Sequence, residues 1–228
     1  MSEKLNIYIG YDEAEIISYH VAVSSIISRS SLPVSFTPIS LKNISKFFTR
    51  KKIAKQSTDF AFSRFLTPYL SGYKGWSLFL DSDVIVLDDI AKLFKRRNDK
   101  YSVMVVKHKK YTPKLKTKFL NKKQLVYEKK NWSSVMLFNN SKCRKLTPDY
   151  VNTATGLQLH QFKWLTNENK IGELNLKWNF LVGEYKKIKN PSILHYTEGG
   201  PYFQSFKKCD YANDWFKEKN KMLSVKDK

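Results

Sequence analysis

A run of apolar residues that ends abruptly in two aspartates constrains the fold of this chain more than any other stretch. Residues 78–80 read Leu-Phe-Leu and are followed by Asp81, Ser82 and Asp83. Such a run predicts a buried strand. Residues i and i+2 of an extended backbone point to the same side, so the two carboxylates would lie together at the carboxyl end of that strand. Two like charges this close require a cation, and oxygen ligands on a short rigid element suit Mg²⁺ or Mn²⁺.

The sequence around this motif indicates an α/β domain. Residues 5–9 alternate polar and apolar side chains and stop at Gly10, which predicts a strand that runs into a tight turn. Pro38 places a second strand, residues 34–39, near a sheet edge. Further strands are predicted at residues 84–87, 101–106, 135–139 and 193–195. Paired carboxylates at a strand end in such a domain are typical of a diphosphate site.

Two apolar patterns predict helices that cover this sheet. The first, over residues 13–29, has side chains at spacings of four, three and four that would pack on the sheet: Ile16, His20, Val23 and Ile27. The second, over residues 57–70, begins with capping residues and carries an apolar stripe: Phe62, Phe65, Leu66 and Tyr69. Arg64 lies among these aromatic residues. It is either a surface charge or an arginine that reaches a nucleotide.

Length and cysteine content favour one domain in a reducing compartment. With 228 residues and 42% hydrophobic side chains, the chain can bury one good core, so we expect a single domain over residues 1–228. No apolar run approaches the roughly 20 residues of a membrane helix, and the first residues lack a signal-peptide core. Cys143 and Cys209 lack metal-ligand spacing, which disfavours both a disulfide framework and a cysteine metal site. We therefore expect a cytoplasmic protein.

The formal net charge of +21 indicates an anionic partner or a biased composition. Residues 107–130 contain ten lysines against one acid, Glu128. We predict that this segment is mobile, lies beside the active-site mouth and contacts an anionic membrane or an acidic acceptor, which co-sedimentation with anionic liposomes would test. The alternative is a solvated loop whose lysines reflect composition alone. Residues 211–228 are predicted to form a C-terminal helix and tail.

Two further stretches carry polar groups suited to a site. Asn131, Ser133 and Ser134 precede the strand at 135–139, and their amide and hydroxyl groups could position an acceptor hydroxyl. His195 ends a short strand that opens into Gly199 and Gly200. A histidine at a strand end is either a metal ligand or a hydrogen-bonded structural residue.

Taken in order, these motifs resemble the GT-A glycosyltransferases of the glycogenin and lipopolysaccharide-galactosyltransferase type, most closely small single-domain versions from bacteria and viruses. The resemblance covers residues 5–203, and its most specific parts are Asp81-Ser82-Asp83 and the His-Tyr-Thr-Glu-Gly-Gly-Pro segment at 195–201. It implies a single Rossmann-like GT-A domain whose central sheet is mixed, mostly parallel and flanked by helices.

The resemblance also implies roles for individual residues. Asp81, Asp83 and His195 match the metal ligands, and Asp81 also lies near the ribose. Gly10, Tyr11 and Asp12 match the turn that holds the nucleotide base and ribose, and Arg64 matches a helix arginine near the donor. Two departures stand out: the lysine that the family carries after the histidine is replaced by a Glu-Gly-Gly-Pro turn, and the family's Asp-Gln pair is His160-Gln161 here. Backbone N–H groups at Gly199 and Gly200 would then hold the diphosphate.

The implied reaction transfers a sugar from a nucleoside-diphosphate sugar, with UDP favoured, to a hydroxyl of a glycan, glycolipid or glycoprotein, using Mn²⁺ or Mg²⁺. Retention of the anomeric configuration is expected; inversion would need a base, for which Asp59, Glu184 and Glu198 are candidates. Two alternatives are a haloacid-dehalogenase-type phosphatase with Asp81 as its nucleophile and a basic nucleic-acid-binding protein. The further motifs that such a phosphatase needs are not found in the sequence, and no recognised nucleic-acid-binding motif is present.

Overall fold

The structure, a computed structural model, describes residues 4–52, 56, 58–108, 114–115, 117–118, 122–123 and 126–225. The strands in these ranges are β1 (Leu5–Gly10), β2 (Val34–Ile39), β3 (Trp76–Leu80), β4 (Val84–Val86), β5 (Val103–Val106), β6 (Thr117–Lys118), β7 (Lys122–Lys123), β8 (Val135–Asn139), β9 (Ile171–Leu174), β10 (Phe180–Leu181) and β11 (Ile193–His195). The α-helices are α1 (Ile16–Ile27), α2 (Leu41–Ile44), α3 (Thr67–Leu70), α4 (Ala91–Phe94), α5 (Pro148–Thr153), α6 (Gly156–His160) and α7 (Ala212–Leu223).

A six-stranded sheet forms the centre of the fold, in the order β2-β1-β3-β8-β5-β9. β1 runs parallel to β2 and β3, β5 runs parallel to β9, and β8 is antiparallel to both β3 and β5. Leu78 and Leu80 belong to one buried cluster and Phe79 to another, so both faces of β3 are covered. The expected mixed, mostly parallel sheet flanked by helices is therefore confirmed.

The chain changes sheets at the paired aspartates. β3 lies in the central sheet, whereas β4, separated from it by the three residues 81–83, lies in a smaller sheet of order β10-β11-β4. β11 is antiparallel to β4 and parallel to β10, and this small sheet packs with Trp215 of α7. Residues 81–83 therefore lie where the two sheets meet.

The predicted inward face of the first helix is wrong. Ile16 and Ile27 are 42% and 57% exposed, and His20 is also exposed. Half of the buried face consists of small residues, Ser18, Ala22 and Ser25, and the other half of larger ones, Tyr19, Val21 and Ile26. Ser25 Oγ accepts a hydrogen bond from Val86 N at 3.0 Å and donates to Ala22 O at 2.7 Å. Small side chains let the helix approach β4 closely, and satisfied hydroxyls can be buried at little cost, so apolar spacing alone selects the wrong face.

The predicted helix at 57–70 is broken. Ser57 lies outside the described residues, Ser63–Leu66 is a 3₁₀ turn and only Thr67–Leu70 is α-helical. Pro68 has no N–H to continue the preceding turn, but it is tolerated in the first turn of a new helix. Phe62, Phe65 and Leu66 are buried as expected, whereas Tyr69 is 36% exposed.

The lysine-rich stretch, residues 107–130, is packed into the fold at both ends. His108 and Lys130 are buried, and between them β6 pairs with β7. Much of the predicted mobile segment lies outside the described residues.

The C-terminal helix α7 packs on α1. Arg29, just beyond the end of α1, donates two hydrogen bonds to Glu218 of α7 at 2.9 and 2.6 Å. Cys143 and Cys209 are free thiols. In the described part of the chain, every helix is too short or too polar to cross a bilayer.

Candidate metal and donor site

Backbone pairing brings the three predicted metal ligands together. Ile9 of β1 pairs with Leu80 of β3, so Gly10, the last residue of β1, lies beside Asp81, which directly follows β3. His195 of β11 pairs with Val84 of β4, and Tyr196 N donates to Asp83 O at 2.9 Å. The side chains thus meet at the carboxyl end of β3, at the boundary between the two sheets.

The geometry of this cluster suits a divalent cation. One ligand atom from each of Asp81, Asp83 and His195 lies within 4.8 Å of the others. His195 Nε2 is 3.2 Å from Asp83 Oδ1 and 3.9 Å from Asp81 Oδ2. All three residues are at most 9% exposed. His195 Nδ1 lies 3.0 Å from Asn179 Oδ1, which can only accept, so Nδ1 carries a proton and Nε2 is the ring atom that faces the carboxylates. Two carboxylates and an imidazole nitrogen held this way fit a metal ion.

Arg64 is a buried partner of Asp81. Its NH1 lies 2.6 Å from Asp81 Oδ1 and donates to Ser133 O at 3.0 Å. The guanidinium carbon lies 5.3 and 5.2 Å from the ring centres of Phe60 and Phe79. The surface-charge alternative is therefore wrong, since Arg64 is 5% exposed. Contact with a nucleotide stays a prediction.

The segment predicted to face the acceptor lies against this site, but its serines are engaged in holding it. Ser134 Oγ donates to Asn131 O at 2.7 Å, and Ser133 Oγ lies 2.8 Å from His160 Nδ1. Burial, followed by the charges of Arg64 and Arg50, lowers the pKa of His160 to about 3, so this ring is neutral. Asn131 has a φ of 62°, and its Nδ2 is buried with no hydrogen-bond partner among the described residues. Asn131 Nδ2 therefore remains as a donor for a substrate, whereas the hydroxyl proton of Ser134 is used within the segment.

The predicted nucleotide turn lies beside Asp81, and its polar side chain shapes the turn. Asp12 accepts hydrogen bonds from Ala14 N and Asp59 N, both at 2.9 Å. A Cβ atom on Gly10 would lie 2.3 Å from the Phe60 ring, so only glycine fits there. Tyr11 packs edge-on against Tyr19. Base and ribose binding by this turn stays a prediction.

The glycines after His195 are needed for packing. Gly199 has a φ of 146°, and a Cβ atom there would lie 2.5 Å from Phe206. A Cβ atom on Gly200 would lie 2.1 Å from the ring of Tyr202. Aromatic contacts thus account for both glycines, and diphosphate binding by their N–H groups stays a prediction.

Glu184 and Glu198, two of the candidate bases, form a hydrogen-bonded pair just beyond His195. Burial and then the neighbouring Glu184 raise the pKa of Glu198 to about 7. Lys114 N donates to Glu184 Oε2 at 3.2 Å, and the charges of Lys114 and Lys130 partly oppose the rise. The third candidate, Asp59, forms an ion pair with Lys52 at 2.5 Å.

The raised pKa of Glu198 predicts a pH-dependent stability. An unfolded glutamate releases its proton near pH 4.5, whereas the folded one holds it to about pH 7. The folded state therefore binds the extra proton between these values, and its stability should fall as the pH rises from about 5 to 7. We expect Glu198→Gln to flatten the melting temperature across this window and to raise it at pH 8. Parallel wild-type and variant melting curves would contradict this.

Sequence reasoning missed two residues near the site. His108 Nε2 lies 3.0 Å from Asn179 Nδ2, and burial, followed by the charge of His195, lowers the pKa of His108 to about 3. Tyr127 lies near enough to Arg64 and Asp81 for both to affect its pKa, which burial raises to about 12. His108 follows a strand end, as His195 does, and that signal could have revealed it. Tyr127 lies in an irregular stretch without such a signal.

This arrangement of sheets, with an Asp-x-Asp pair and a strand-end histidine at their junction, is that of a GT-A glycosyltransferase. A family model described as glycosyl transferase family 8 matches residues 11–201. The protein CDI from Arabidopsis thaliana is 44% identical to this chain over an alignment 228 residues long. The alignment covers 95% of this chain and 87% of that protein. The chain belongs to glycosyl transferase family 8.

Solved structures show the same fold at low identity. The bifunctional glycosyltransferase WbbM superposes with a TM-score of 0.65 at 14% identity, covering 96% of this chain; the chain spans 50% of WbbM's length. The galactosyltransferase LgtC, solved with donor and acceptor sugar analogs, gives a TM-score of 0.60 at 12% identity and covers 98% of both chains. Family membership makes this protein a glycosyltransferase, so the phosphatase and nucleic-acid-binding alternatives are set aside.

Proposed function

We propose that this glycosyltransferase uses a divalent metal to move a sugar from a nucleoside-diphosphate sugar, with UDP favoured, to a hydroxyl of a glycan, glycolipid or glycoprotein. The observation that carries the proposal is the buried cluster of Asp81, Asp83 and His195 beside the end of β1. When bound there, Mn²⁺ or Mg²⁺ would act as a Lewis acid that neutralises charge on the departing diphosphate.

The chain's own residues would have three tasks. Arg64 holds one carboxylate of the cluster and the backbone of Ser133, so it fixes the ligands relative to the acceptor segment. Gly10, Tyr11 and Asp12 would receive the base and ribose. Asn131 offers a buried amide donor that could orient a sugar or acceptor hydroxyl.

Retention of the anomeric configuration belongs to the same proposal. It is supported at one of the three candidate bases, since Asp59 is already paired with Lys52. The lysines of residues 107–130 are proposed to face an acidic acceptor or an anionic membrane; Lys114 is exposed near the Glu184–Glu198 pair.

Calorimetric titration with UDP, GDP and dTDP, each with and without Mn²⁺, tests the donor. We expect one diphosphate to bind at micromolar to millimolar concentration only when Mn²⁺ is present. The sugar conjugates of that nucleotide would then be screened for turnover, and NMR of the first-formed product would report the anomer. Failure of every nucleoside diphosphate to bind at millimolar concentration would overturn the proposal, and an inverted product would overturn retention.

A further inference from the structure

Asn179 lies at the centre of a buried polar cluster behind His195. It is completely buried, at the end of the 3₁₀ turn Leu176–Asn179 that leads into β10. Its Oδ1 faces His195 Nδ1 at 3.0 Å. Its Nδ2 faces three acceptors, at 2.9 Å from Ser134 Oγ, 3.0 Å from His108 Nε2 and 3.2 Å from Asn131 O.

These partners fix the orientation of the amide. The backbone oxygen of Asn131 can only accept, so the amide nitrogen must point toward it. Ser134 Oγ donates its own proton to Asn131 O, so its lone pairs can accept a hydrogen bond from Asn179. The carbonyl oxygen of the amide is left for His195, where only an Nδ1 that carries a proton can donate to it. A flipped amide would place its N–H₂ group against His195 and its oxygen against Asn131 O, which would lose several hydrogen bonds in a buried site.

A second link connects the same segment to the opposite ligand. Arg64 NH1 contacts both Asp81 Oδ1 and Ser133 O, at 2.6 and 3.0 Å. Residues 131–134 are therefore tied to Asp81 through a guanidinium and to His195 through an amide. Neither link uses the Nε2 atom that faces the carboxylates.

We propose that Asn179 is a positioning residue that fixes His195 in the tautomer that binds metal through Nε2 and couples this ligand to residues 131–134. The inference rests on the proposed metal-dependent function. Because outer partners of metal-ligating histidines typically contribute 10- to 100-fold to metal affinity, Asn179→Ala should weaken Mn²⁺ binding by about that factor.

The experiment combines calorimetric titration with Mn²⁺ alone, ¹⁵N NMR of the histidine tautomers in metal-free protein and hydrogen exchange at residues 131–134. Asn179→Ala should weaken Mn²⁺ binding about 10- to 100-fold, populate both His195 tautomers and raise exchange in the segment. Asn179→Asp keeps an acceptor for His195 but loses the donor, so it should retain the Nδ1–H tautomer and Mn²⁺ binding while exchange rises. Ser134→Ala removes one acceptor of the Asn179 amide, so it should raise exchange in the segment, while the contact of Asn179 Oδ1 with His195 keeps the proton on Nδ1.

Asn140→Ala is the matched control. Asn140 is equally buried, and its Nδ2 donates to Lys74 O and Ser77 Oγ at the other end of β3. It should lose stability while its Mn²⁺ affinity and the His195 tautomer stay unchanged. A folded Asn179→Ala variant that binds Mn²⁺ like wild type, or a His195 that carries no proton on Nδ1 in the metal-free wild type, would overturn the inference. Wild type that binds no Mn²⁺ would instead contradict the proposed function, and the tautomer measurement would still test the role of Asn179.

Discussion

Asp83→Asn is expected to lose nearly all metal-dependent sugar transfer while the protein remains folded. The amide has the size of the carboxylate but removes one ligand charge, at a position whose Oδ1 lies 3.2 Å from His195 Nε2. Losing several kcal/mol of charge stabilisation, taken as about 4, corresponds to roughly a 10³-fold decrease in rate. Initial-rate measurements across a Mn²⁺ series, with calorimetry of Mn²⁺ binding, would measure both effects.

Asp149→Asn provides the control for this substitution. Asp149 is exposed in the first turn of α5, and the same chemical change there should leave transfer and Mn²⁺ binding at wild-type values. Circular dichroism would establish that both variants are folded. Full transfer by Asp83→Asn in the presence of a chelator would remove the basis for the metal assignment.

Arg64→Met should be among the most destabilising single substitutions in the described core. The side chains of Arg64 and Asp81 are 7% and 12% exposed, so removal of the cation leaves a buried carboxylate without this partner beside Asp83. Breaking a buried pair in this way costs about 3–5 kcal/mol. In a chain of this length that lowers the melting temperature by roughly 6–20 °C. Thermal unfolding of metal-free protein would measure the loss.

Added Mn²⁺ should restore part of the stability of Arg64→Met, because a bound cation takes over neutralisation of Asp81. Arg29→Met is the matched control. It breaks the ion pair that joins Arg29, just beyond α1, to Glu218 of α7, and it leaves the cluster intact, so Mn²⁺ should stabilise it only as much as it stabilises wild type and less than it stabilises Arg64→Met. An Arg64→Met variant as stable as wild type without metal would show that the buried ion pair does not stabilise the fold.

The site residues that could be predicted from the sequence are those marked by a short, contiguous pattern of residues. An apolar run followed at once by Asp81 and Asp83 fixes a strand end, and a histidine after a short apolar run marks another. The fold class followed from such runs and from the resemblance. Bringing His195 to the aspartates depends on the pairing of β11 with β4, which no local pattern encodes.

The features that were predicted wrongly or missed are those that leave no local pattern in the sequence. The wrong face was chosen for α1 because Ser18, Ala22 and Ser25 carry little hydrophobic signal, although they are buried. The role of Asn179 was missed because its partners are distant in sequence: His108 is 71 residues away and Ser134 is 45 residues away. Long-range hydrogen bonds between polar side chains leave no periodicity to detect.

The change of sheet between β3 and β4 has a consequence for how this site can deform. Asp81 follows a strand of the central sheet, whereas His195 ends a strand of the smaller one, so the proposed ligand set spans two separately packed layers. Any sliding of one layer over the other changes the spacing between the side chains of Asp81 and His195 directly. A cavity-forming substitution of Trp215, which is buried beneath the smaller sheet, would therefore act on the proposed ligands through the displacement of a whole layer, without touching them.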